Sequence, residues 1–184
     1  MRYPLPKKDE NGNYLPGVMK RVGDLFKYLE MEDKLIPYYY ASNASPAFKY
    51  FNGERARIGD NANFNGPSLG ISDTLLDLGT STVVEDVVGP FANMLWEDLR
   101  NHTRSGWEVM MANDAYSMRA YMSFKYIPSA GFGLPPDHLS TRVINWCETF
   151  DNSTGSYSKA LTETVLDVIA FGQDGSEVEW KCIE

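Results

Sequence analysis

The sequence is poor in the residues that most often carry chemistry. Among 184 residues there are two cysteines, Cys147 and Cys182, and two histidines, His102 and His138. The cysteines lie far apart with none of the CxxC or Cys/His spacing of a zinc site, and they read as two buried thiols. Two histidines among polar and loop-type neighbours leave little for a His-based metal centre or a Ser-His-Asp triad. Clustered positive charge is also missing. Lys and Arg total 17 against 25 acidic residues, a net charge of −8, and no basic cluster exceeds a pair such as Lys7-Lys8. That balance argues against nucleic acid or an anionic membrane as a partner. No apolar run approaches the roughly 18 residues of a membrane span, and the first residues have no apolar core of a signal peptide. The chain reads as soluble, with nothing that assigns a compartment.

What is present is enough for a core. Hydrophobic residues make up 43% and aromatics 13% of the chain, with 23% charged, which is a globular composition. The opening MRYPLPKKDENGNYLPG, with three prolines, reads as an extended loop. Pro16 then suits a first helical turn, and Val18, Val22, Leu25, Phe26 and Leu29 mark one face of an amphipathic helix ending near Met31. Asn52-Gly53 between AFKYF and ERARI predicts a hairpin with a type I′ turn. Residues 59–72 read as a surface loop into which Phe64 and Leu69 tuck.

From Asp73 the pattern is helical. Val84, Val87, Val88, Phe91 and Leu95 mark a helix that Gly89-Pro90 should bend. Trp107 to Ala112 follows, and then a helix with Ser117 as N-cap carrying Ala120, Tyr121 and Phe124. After the break at 127–140, Val143, Ile144, Trp146, Cys147 and Phe150 form a stripe. Leu161, Val165, Val168, Ile169 and Phe171 form the last one. The closing EVEWKCIE alternates as a half-buried strand, for which the hairpin near residue 52 is the evident partner. The expected fold is α+β and predominantly helical. Residues 1–72 form a loop, helix and hairpin segment, 73–174 a helical domain and 175–184 a terminal strand. Both ends look cut from something larger.

Several motifs, taken in order, carry a resemblance: MRYP, GVMKRVGDLFKYL, LIPYYYASN, KYFNGERAR, VVEDVVGPFANML, AYSMRAYM, VINWCETFDNSTGSYSKALTETVLDVIAFG and EWKCIE. Together they resemble flavin-dependent amine oxidases, and are most similar to fungal and bacterial L-amino-acid oxidases. The resemblance implies FAD as cofactor and an amino acid or amine as substrate. It implies oxidative deamination with release of hydrogen peroxide. It further implies complementary flavin-binding segments as partners and a possible homodimer of the whole enzyme. The glycine-rich strand–turn–helix that holds the flavin pyrophosphate in that family has no match here, because no GxGxxG occurs. The chain therefore resembles a substrate-domain segment plus the helical domain, incomplete and inactive alone. The alternative is a non-catalytic helical binding module, or a relic without the flavin domain.

Candidate residues follow from the same resemblance. Arg2, in the matching MR-x-P segment, would fork onto the substrate α-carboxylate, which suits a planar guanidinium. The backbone of Met1 and Arg2 would lie against the flavin. Leu166 matches a position near which some members carry an entrance histidine; an apolar pocket wall is expected instead, unless Leu166 is simply core. Glu148, Asp151, Glu163 and Asp167 could suggest paired-carboxylate catalysis, but read as solvated charges on polar helix faces. Tyr38, Tyr39, Tyr40, Tyr50 and Phe51 could line a substrate path or pack the hairpin. The sequons at Asn43, Asn101 and Asn152 carry no weight without a secretory context.

Overall fold

The structure, a computed structural model, describes residues 2–16, 19–38, 47–57, 59–60, 62–150, 155–171 and 178–183, with the backbone alone at 2–4, 171 and 178–183. It is predominantly helical with a small sheet and a hairpin. The chain divides into two compact units, Met1–Ala47 with Asp167–Glu184, and Phe48–Leu166.

In the first unit, β1 (Arg2–Pro6), β2 (Leu35–Pro37) and β5 (Val178–Ile183) form an antiparallel sheet in the order β1-β5-β2. This corrects two expectations. The opening is a strand rather than a loop, and β5 pairs with β1 and β2 rather than with the hairpin. The physical reason lies in the edge. Proline removes a ladder donor, so Pro4 and Pro6 are tolerated in β1 because it borders the sheet on one side only. Past β1, Asp9 Oδ1 accepts hydrogen bonds from Asn11 and Asn13 N–H and shapes a turn that returns the chain to the Lys8–Tyr14 bridge.

α1 (Lys20–Tyr28) is shorter than its apolar spacing suggested, and its inner face differs. Phe26 and Gly23 are buried, whereas Leu25 and Leu29 are about half exposed and Tyr28 more so. Tyr14 decides the choice. Its ring lies so close to Gly23 that a Cβ there would come within 2.6 Å of it. Tyr14 Oη donates to Glu32 Oε1 at 2.7 Å, and Lys8 Nζ pairs with the same oxygen at 2.8 Å.

The second unit begins with the expected hairpin, β3 (Phe48–Phe51) and β4 (Glu54–Arg57). Asn52 and Gly53 have φ of 51° and 81°, the two positive angles a type I′ turn requires. Its tip is stitched to the following loop by Asn65 Nδ2 donating to Asn52 O at 2.7 Å. Phe64 of that loop is buried and meets Phe51 and Phe150 at ring-centroid distances of 5.4 Å each, while Leu69 stays exposed.

Among the described residues, five α-helices lie wholly in this unit: α2 (Asp73–Leu78), α3 (Thr80–Asn101), α4 (Ser105–Met111), α5 (Met118–Phe124) and α6 (Thr141–Phe150). α7 (Leu161–Phe171) starts in it. α3 continues through Pro90 and buries Val83, Val87, Val88, Phe91, Ala92 and Leu95. Full burial of a side chain of that size contributes about 1.5–3 kcal/mol. Ser117 caps α5 as expected, its Oγ accepting from Ala120 N–H at 3.1 Å. Met110, Met118 and Met122 are fully buried, unbranched side chains filling irregular space between helices. Leu161 N–H donates to Tyr116 O and Met118 N–H to Lys159 O, so the starts of α5 and α7 are tied together. The described residues contain no helix long and apolar enough to cross a membrane.

Candidate functional site

Arg2 heads the edge strand β1, directly opposite Cys182 of the central strand β5, and so is held in a paired strand rather than in free loop. Its register is fixed by backbone pairing along the whole of β1, and β1 is in turn packed against α1. Met1 lies outside the described residues. The turn after β1 is anchored by the Lys8–Tyr14–Glu32 cluster, where hydrogen bonds from Lys8 first and Tyr14 second hold the Glu32 carboxyl below its ordinary value. This local scaffold presents the opening residues on a paired strand, the kind of element that holds a functional side chain within narrow limits.

Leu166 belongs to the other unit. On α7 the buried residues Leu161, Val165 and Ile169 repeat at i, i+4 and i+8, and Leu166 falls off that stripe with 43% of its surface exposed. It is not a core residue. Each of these two candidates is therefore presented by its own unit, and the structure describes them separately.

The carboxylates divide differently from their sequence reading. Glu163 is exposed and paired with Lys159 at 2.9 Å, Asp167 is exposed, and Asp151 lies outside the described residues. Glu148 is a correction, because it is buried rather than solvated. It pairs with Arg119 of α5 and accepts the Tyr157 N–H at 2.9 Å. Helical periodicity misses this because an acidic residue beside an apolar stripe looks the same whether water or a buried donor faces it.

Two further anchors were not singled out from sequence. Asp98, buried at the end of α3, accepts from Thr103 Oγ1 at 2.6 Å and Trp107 N–H at 2.7 Å. Its carboxyl is held below the ordinary value, chiefly by the Thr103 hydrogen bond, against the opposing effect of burial. Asp86 accepts from Tyr126 Oη at 2.6 Å and from Ser129 Oγ at 2.5 Å and N–H at 3.0 Å. Burial raises its pKa, but those hydrogen bonds outweigh it and leave the carboxyl below its usual value. Burial, helped by Asp86, pushes the Tyr126 phenol well above its normal range. Asp86 and Asp98 are thus kept ionised near neutrality and occupied by the protein's own donors. They brace helices and are poorly placed to shuttle protons. The polar cluster Thr103-x-Ser105-x-Trp107 after Asp98 is the sequence signal that could have revealed this anchor.

The aromatic group also separates. Phe51 packs against Phe150 at 4.8 Å, so it is hairpin core, whereas Tyr50 is 68% exposed. Tyr38 is half-buried, and Tyr39 and Tyr40 lie outside the described residues.

Comparison with known proteins adds the family. No protein-family model matches the chain. It is 62% identical over 185 aligned residues to L-amino-acid oxidase 4 of Hebeloma cylindrosporum, a match covering all of this chain and 30% of that relative. It is 35% identical over 145 residues to the cytotoxic L-amino-acid oxidase of Amanita phalloides, covering 71% of this chain and 99% of that relative. The chain belongs to the L-amino-acid oxidases of the FAD-dependent amine oxidase superfamily. It spans under a third of the Hebeloma relative's length.

The described residues do not fit a flavin pyrophosphate. No described helix follows directly on a strand through a glycine-rich turn. Glycines at close approaches are filled from within the protein, Gly23 by Tyr14, Gly66 by Leu76 and Gly106 by the Met94 backbone. Gly131 and Gly133, which do stand open, lie between helices rather than in a strand-to-helix turn, where a dinucleotide cradle needs them.

Proposed function

We propose that the chain is a working part of an FAD-dependent L-amino-acid oxidase, which converts an α-amino acid to its imine and keto acid and releases hydrogen peroxide. The observation that carries this reading is the 62% identity to L-amino-acid oxidase 4 across the whole chain. Within that enzyme Arg2 binds the substrate α-carboxylate through two parallel hydrogen bonds, its position held by the pairing of β1 with β5. The backbone at Met1 and Arg2 borders the flavin. Leu166 gives the substrate entrance an apolar wall, a reading favoured by its exposure on α7. Complementary flavin-binding segments complete the site, and two copies of the enzyme associate. Exposed Leu25, Tyr28 and Leu29 on α1 favour this over a self-sufficient binding module, since an isolated module has reason to keep such apolar surface covered.

The test is a peroxidase-coupled assay of the polypeptide that carries this chain, with and without Arg2→Ala. Loss of a charge-assisted fork should raise KM for L-amino acids about ten- to a hundredfold. Amines without a carboxylate should be affected far less. Equal losses for both substrates would remove Arg2 from carboxylate binding. The 184-residue chain alone, given FAD and amino acid, should yield no peroxide, and sustained turnover would overturn the need for complementary segments.

A further inference from the structure

A cavity of about 540 Å³ opens between α6 and the turn Pro67–Leu69, wholly within the second unit. Arg142, Asn145, Trp146 and Thr149 line it from one face of α6, at i, i+3, i+4 and i+7. Its size falls within the roughly 300–1,000 Å³ of small-molecule sites.

Among the described residues Arg142 is the one charged residue in the lining, and no described carboxylate lines it. It stands in the first turn of α6, where the helix dipole favours anions and opposes a cation. Among the described residues it has no hydrogen bond or ion pair that would offset that disadvantage. The guanidinium lies against Gly70, whose φ is +74°. A Cβ at Gly70 would fall 2.2 Å from Arg142 Nη1, so glycine is what allows the side chain to rest there. One turn along, Asn145 Oδ1 accepts from Arg119 Nη1 at 2.6 Å, which orients the amide and leaves Nδ2 as a second donor on the cavity-lining face. The rest of the lining pairs the apolar Trp146, Leu69 and Ile71 with the polar Asn52, Ser68 and Thr149.

From this arrangement we infer a binding site for a small organic carboxylate, its anionic end on Arg142 and Asn145 and its apolar body against Trp146 and Leu69. A planar guanidinium matches a carboxylate through two parallel bonds. A single cation with Trp146 and Leu69 beside it suits a monoanionic organic acid better than a dianionic phosphate. The inference rests on this cavity and not on the oxidase reading.

The test is an NMR titration of the full ¹⁵N-labelled chain with phenylacetate, phenylacetamide and inorganic phosphate. Phenylacetate should give saturable shifts at the Gly70 amide and the Trp146 indole, with phenylacetamide at least about tenfold weaker. Arg142→Gln should weaken phenylacetate binding about ten- to a hundredfold, and Arg142→Lys should recover part of it, because Lys keeps the charge without the fork. Arg142 is exposed, so both variants should retain the parent spectrum elsewhere. Absence of saturable shifts, equal binding of the neutral amide, or unchanged binding by Arg142→Gln would each overturn the site. Phosphate binding as tightly as phenylacetate would overturn the assignment to an organic carboxylate.

Discussion

Replacing Glu148 by alanine should destabilise the Phe48–Leu166 unit by about 2–4 kcal/mol, and the estimate follows from what the carboxylate touches. One oxygen accepts the N–H of Tyr157, a residue with no exposed surface, and the other pairs with Arg119. Truncation leaves the Tyr157 N–H buried without this acceptor, a loss of about 1–3 kcal/mol. It also breaks an ion pair that is largely enclosed on the Glu148 side, where the side chain is 9% exposed. Breaking a fully buried pair costs about 3–5 kcal/mol. Arg119 keeps its bond to Asn145 and is 31% exposed, so the penalty should stay below that range. Glu148→Gln keeps an acceptor for Tyr157 and should lose only about 1–2 kcal/mol. In urea unfolding followed by circular dichroism, the alanine midpoint should fall by about 1–2 M at an unchanged slope. The double variant with Arg119→Ala should lose less than the sum of the two single losses, because the two residues act on one another. An alanine variant within about 0.5 kcal/mol of the parent would refute the claim that this carboxylate ties α5, α6 and the turn at Tyr157 together.

Three other outcomes follow from the same geometry. Gly106→Ala should destabilise the α3–α4 contact by up to about 3 kcal/mol, because its Cβ would lie 2.5 Å from the Met94 carbonyl oxygen; a thermal midpoint equal to the parent's would show that the helices separate freely. Asp98 has a depressed folded pKa, so the stability it supplies is present above the unfolded value of about 3.9 and is lost as pH falls through the folded one. Asp98→Asn should therefore flatten the fall in thermal midpoint between about pH 5 and pH 3, and parallel profiles would count against the anchor. Glu32 shares the same sign, so Lys8→Met should likewise weaken the acid dependence of the first unit, read from the NMR resonances of the Tyr14 ring.

Much of the helical unit was legible in the sequence because its signals are local. Asn52-Gly53 demanded positive φ, Ser117 offered a cap oxygen, and the stripes of α3, α6 and α7 repeat at the helical period. The family was legible through ordered motifs. Tertiary structure decided what depends on a distant partner. β5 chose β1 and β2 over the hairpin, which placed the proline-rich opening on a sheet edge where missing donors are tolerated. Tyr14 against Gly23 selected which face of α1 is buried, leaving Leu25 and Leu29 outside. Glu148 and Arg142 show the same division in their charges. Residue type fixed the polar groups that each offers, but only the folded neighbours gave Glu148 two donors and left Arg142 without a partner among the described residues, because pairing depends on distances that sequence spacing does not contain.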